Sequence, residues 1–108
     1  MRFAPALTLG LLCSSRLLAG GDAEKGKALY QKLNCKMCHS ADGSASTPAG
    51  RKFHARDLRS AKVQSQADDV LFGVIRDGKG KMPSWRQSVD DDGITDLIAF
   101  VRTLAAQQ

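Results

Sequence analysis

Five consecutive residues, Cys35-Lys36-Met37-Cys38-His39, carry the densest chemistry in the chain. Thiols three positions apart lie on one side of a helical turn, so both can bond a single flat partner. The imidazole that follows then projects beneath that partner. This is the attachment pattern of a c-type haem: Cys35 and Cys38 form thioethers to the porphyrin vinyl groups, and His39 is the proximal iron ligand. Three other uses are weaker. A thioredoxin-like redox pair needs a βαβ setting, and no segment here alternates as a strand does. A zinc site would have only Cys35, Cys38, His39 and His54 to draw on, with two of them adjacent in sequence. A Cys35–Cys38 disulfide would close too small a loop to stabilise much.

The sixth iron ligand is found by elimination. Met37 sits between the two attachment cysteines and cannot reach the far face of the ring. Met82 lies far downstream in a loop, and Pro83 stiffens that loop by fixing φ and removing a donor. Met82 is therefore the expected distal ligand; the competing use is ordinary core packing, for which methionine is well suited. His54 is the other candidate, but among Arg51, Lys52 and Arg56 it reads as a solvent-exposed histidine.

These residues sit in a chain of 108 residues with a formal net charge of +5, three cysteines and 6% aromatic residues. That length suits one domain, and a chain this short generally needs a staple such as a disulfide, metal or cofactor. No stretch approaches the ~20 apolar residues of a membrane-spanning helix. The first 21 residues read as a secretory signal: Met1-Arg2, an apolar run from Phe3 to Cys13, and small residues at Ala19 to Gly21. Cleavage would remove Cys13, Arg2 and Arg16, lowering the net charge by two and leaving residues 22–108 as the single domain, with no stable membrane insertion.

The elements expected to position the site are helical. Asp22 is an N-cap for a helix to about Leu33 with Leu29, Tyr30 and Leu33 on one face. Residues 40–64 read mostly as loop. Ser65 and Asp68 resemble a capping box for a helix whose Val70, Leu71, Val74 and Ile75 form a stripe ending near Gly78. A last helix from Asp90 buries Ile94, Leu97, Ile98, Val101 and Leu104. The expected class is all-α.

With the haem motif, Lys81-Met82-Pro83 downstream and these helices between and after, residues 22–108 resemble the small single-haem class I c-type cytochromes. The resemblance implies three to five helices wrapped around one covalently bound haem c. It implies a crossing of the first and last helices, with Gly26 and Tyr30 against Leu97 and Phe100. It also implies a proline carbonyl accepting from His39 Nδ1, for which Pro48 is the matching residue; such a bond fixes the ring. Trp85 either packs on the ring, donates its N–H to a propionate, or simply fills the core.

With His39 and Met82 on the iron no position is open for a substrate, so the expected role is a one-electron carrier of a respiratory or periplasmic redox chain and not an enzyme. The alternatives are the haem-bearing subunit of a larger oxidoreductase or a gas-binding, peroxidase-like haem protein. Lys32, Lys36, Lys79, Lys81 and Arg86 surround the haem-binding turn and the Met82 loop, while acidic residues collect at Asp68-Asp69 and Asp90 to Asp92. A basic collar facing redox partners with acidic patches follows. Haem propionates would reduce the remaining positive charge further, so nucleic-acid binding has no support. The expected protein is a monomer in the periplasm or extracytoplasmic space.

Overall fold

The computed structural model describes residues 20–107 together with Arg2; the apolar part of the expected signal segment lies outside the described residues. Helix α1 spans Ala23–Lys32 and starts as the sequence predicts: the Asp22 carboxylate accepts the N–H groups of Glu24 (2.9 Å) and Lys25 (3.2 Å). Glu24 in its first turn and Lys32 in its last complement the helix dipole. The one-turn α2 (Lys36–His39) follows directly. The stretch expected to be mostly loop contains two more short helices, α3 (Pro48–Lys52) and α4 (Ala61–Gln64). Each is signalled by a hydroxyl cap: Thr47 accepts from Gly50 N–H at 3.0 Å, and Ser60 from Val63 N–H at 3.3 Å.

Helix α5 (Asp68–Asp77) and helix α6 (Asp91–Thr103), which runs on into a 3₁₀ turn at Leu104–Gln107, complete the chain. Among the described residues there is no strand, only an isolated bridge between Lys79 and Met82. The expected capping box at the start of α5 is not made. Ser65 instead ends α4, and Ala67 precedes α5 without a side-chain cap. The reason is tertiary. Asp68 accepts two hydrogen bonds from Arg102 of α6, at 2.7 and 3.1 Å, and the same guanidinium reaches the carbonyls of Gln64 and Gln66. A fixed multidentate cation outcompetes a local cap. Val70 also departs from the expected stripe and is 47% exposed, whereas Leu71 is buried.

Helix α6 is the backbone of the core. Ile94 is fully buried, and Leu97, Ile98, Phe100 and Val101 nearly so. One face packs with Val63 and Leu71, the other with Tyr30 and Leu104. The crossing of α1 over α6 has the residues that the resemblance implied. A Cβ at Gly26 would overlap the Asp96 carbonyl oxygen and lie 2.9 Å from Phe100 Cβ, so only glycine permits this approach. The Tyr30 and Phe100 rings meet at 5.0 Å with a 58° tilt, the offset geometry aromatic pairs prefer. No helix among the described residues is long and apolar enough to cross a membrane.

Candidate functional site

The end of α1 delivers the Cys35–His39 turn. Asn34 takes a left-handed conformation (φ 59°), and Cys35 N–H bonds back to the Tyr30 carbonyl at 3.0 Å. His39 N–H then reaches the Cys35 carbonyl at 2.9 Å, which closes one helical turn. Cys35 and Cys38 are thus one turn apart, and both are free thiols. Burial, joined by the nearby Cys38, pushes the Cys35 thiol up to about 11. A redox nucleophile of the thioredoxin kind needs the opposite shift. Among the described residues no three His, Cys, Asp or Glu side chains come together to hold a metal ion, so the four-donor zinc arrangement is not assembled.

His39 is fixed from behind. Its Nδ1 lies 3.0 Å from the Arg56 carbonyl oxygen; a carbonyl only accepts, so Nδ1 carries the proton and Nε2 keeps its lone pair. Burial holds the imidazole below its ordinary pKa, partly offset by that hydrogen bond. A neutral ring with a defined tautomer is what metal ligation requires. The carbonyl does not come from Pro48, as the resemblance had implied. Pro48 is the first residue of α3, where its fixed φ favours helix initiation and its carbonyl runs along the helix axis. The chain returns to His39 only after His54 turns it with φ 54° and Ala55 N–H bonds the Gly50 carbonyl at 2.9 Å. A backbone carbonyl needs no particular side chain, so nothing in the sequence marked Arg56.

Between these elements lies an apolar cleft walled by Leu33, Leu58, Val74, Ile75, Leu97 and Val101 and reached by Cys35, His39, Met82 and Trp85. An overlapping lobe, sharing Lys79, adds Cys38, Phe53, His54, Lys81 and Pro83. Met82 enters it from a tight turn in which its N–H bonds the Lys79 carbonyl (2.9 Å) and its carbonyl accepts from Lys79 N–H (3.0 Å). The structure therefore brings Cys35, Cys38, His39, Met82 and Trp85 to one cleft, and leaves Pro48 off its lining. Met37 points elsewhere: it is 53% exposed, with its sulfur 3.5 Å from Asn34 Nδ2. His54 is exposed at the mouth. A large flat apolar group with two thiol-reactive positions and a ligand-seeking metal fits these walls and donors.

Comparison with known proteins gives the same answer. Residues 21–101 match the family described as cytochrome C oxidase, cbb3-type, subunit III. The chain belongs to the class I c-type cytochromes. The cytochrome is 30% identical to cytochrome c6 of Bryopsis maxima over 82 residues, covering 76% of this chain and 91% of that one. It is also 30% identical to cytochrome c6 of Chlorolobion braunii over 90 residues, covering 79% and 93%. Among solved structures, the KustC0563 c-type cytochrome superposes with a TM-score of 0.67 at 27% identity, covering 73% of this chain and 95% of that one. The cytochrome has the all-α class I fold, carries covalently bound haem c with its iron, and is an electron carrier rather than an enzyme, acting between redox protein partners.

Proposed function

We propose that the cytochrome passes single electrons between redox proteins outside the cytoplasm, with Cys35 and Cys38 holding the haem, and His39 and Met82 as its axial ligands. When bound, the haem supplies a metal that gains or loses one electron. The observation that carries the reading is the meeting of His39 and Met82 at one apolar cleft, the first locked in its Nδ1–H tautomer. The Met82 thioether is a soft donor that favours the reduced metal, and the apolar walls disfavour the extra charge of the oxidised one. Trp85 lines both lobes beside Met82. The Arg56 carbonyl makes the His39 ring a better donor and fixes its orientation. Pro48 serves the site by starting α3, whose cap Thr47 also donates to the Met37 carbonyl at 2.5 Å within the haem-binding turn.

Lys32, Lys36, Lys79 and Lys81 are exposed around the turn and the Met82 loop, which supports transient docking to acidic patches with fast release. Arg86, also expected in that collar, forms an ion pair with Asp77. The carrier is read as a monomer, exported by residues 1–21. A second reading, the haem subunit of a larger oxidoreductase, draws on the description of the matching family; coverage of nine-tenths of two small cytochrome c6 chains favours the free carrier. Recovery of the chain from its native source in a stable complex would favour the subunit. The ligand assignment is tested by Met82→Ala: the midpoint potential should fall, and the reduced protein should bind carbon monoxide at neutral pH, which the unaltered protein should not. An unchanged potential would refute it.

A further inference from the structure

The turn that carries Met82 is bound to the end of α5 by backbone and side-chain hydrogen bonds and an ion pair. Gly78 ends α5 at φ 79°, and a Cβ there would lie 2.7 Å from the Met82 carbonyl oxygen and 2.8 Å from Ser84 N. The chain therefore folds back directly over the helix terminus. Ser84 Oγ donates to the Arg76 carbonyl at 2.5 Å, and Trp85 N–H to the Ile75 carbonyl at 3.1 Å. These bonds occupy last-turn carbonyls that a helix otherwise leaves open. Beyond them, Asp77 takes Arg76 Nε and Nη2 at 3.1 and 2.9 Å, and Arg86 Nη2 on Oδ1.

Asp77 is the last residue of α5, where the helix dipole disfavours a carboxylate. It does nothing for the helix. What it does is join residues 76 and 86, on either side of Met82. We propose that the Asp77–Arg86 pair, with Ser84, is a clamp that holds the Met82 turn against the cleft, making Asp77 and Arg86 positioning residues for the distal ligand. The inference rests on the His39/Met82 reading above. An exposed ion pair adds little to the stability of a whole domain. A turn of a few residues opens far more easily than the domain unfolds, so the same small contribution changes how often Met82 leaves.

The test uses the intact haem-loaded oxidised protein and imidazole as the competing ligand, titrated by absorbance, with amide exchange at Met82 and Trp85 as a second readout. Asp77→Asn and Arg86→Gln should each raise imidazole affinity about two- to fivefold, as expected for loss of one exposed pair. The double variant should add little to either single one, and Asp77→Glu should restore most of the native value. Exchange at Met82 and Trp85 should quicken while that within α1 and α6 does not. Wild-type imidazole affinity in both single variants, beside a large increase in Met82→Ala, would overturn the clamp and leave the ligand assignment standing. No increase in Met82→Ala would overturn the ligand assignment, and the clamp with it.

Discussion

His39 and Met82 reach the same cleft by different physical means. His39 belongs to a single helical turn that also holds both cysteines, so its place follows from local geometry, with the Arg56 carbonyl as one distant support. Met82 sits in a turn that has no helix of its own. Its position is borrowed from the end of α5 through Gly78, Ser84, Trp85 and the Asp77–Arg86 pair. The lesson is an asymmetry of strength. One wall of the cleft is built by adjacent residues and the other by exchangeable straps, so the Met82 side is where ligand loss should begin.

Four changes would break or sharpen that contrast. Replacing both attachment thiols, Cys35→Ser with Cys38→Ser, is the largest: covalent haem should be absent, as read by haem staining after denaturing electrophoresis. A native level of stained product would remove the His39 side from the argument. Next, Leu97→Ala should cost about 2–5 kcal/mol in denaturant unfolding, because Leu97 is 3% exposed and lines the cleft from α6, behind both walls. It should loosen the two sides alike. Gly78→Ala is smaller, about 1–3 kcal/mol, since it forces a side chain into a left-handed backbone against the Met82 carbonyl. Its effect should concentrate on the Met82 side, seen as faster amide exchange at residues 79–85 with residues 35–39 unchanged.

The smallest effect is a pH dependence. Hydrogen bonds from Arg76 and Arg86 hold the Asp77 carboxyl down to about 2, below its ordinary 3.8. Its folded value lies below its unfolded one, so its contribution is fully present above the unfolded value and is lost as pH falls through that interval. Protection of the Met82 amide should weaken over that range ahead of α1 and α6, and Asp77→Asn should lack the step. An identical acid profile in the variant would show that Asp77 does not support the turn.

Much of this site was legible from residue types alone, where the information is local. The spacing of Cys35, Cys38 and His39 needs only the pitch of a helix. Asp22 and Asp90 cap α1 and α6 because a short side-chain oxygen reaches the next backbone N–H groups, and both do so here. The apolar face of α6 is likewise periodic, and Ile94, Leu97, Ile98, Val101 and Leu104 are all buried. Two of the failures have a common cause. Ser65 and Asp68 have the spacing of a cap, yet Asp68 goes to Arg102, a partner 34 residues away. Pro48 was expected to offer its carbonyl to His39, but the helix it begins uses that carbonyl, and the acceptor comes from Arg56. Residues 40–64 looked irregular because α3 and α4 are too short to show a period.

The sequence by itself determined that Cys35, Cys38 and His39 share one helical turn, where α1 and α6 start, and which face α6 buries, since each of these depends on neighbours within a turn or two. Tertiary structure alone decided which backbone carbonyl fixes His39, that Met82 shares a cleft with it, and that Arg86 pairs with Asp77. Those outcomes depend on distances between residues far apart in the chain, and a carbonyl or an exposed charge looks the same in sequence whichever partner it finds.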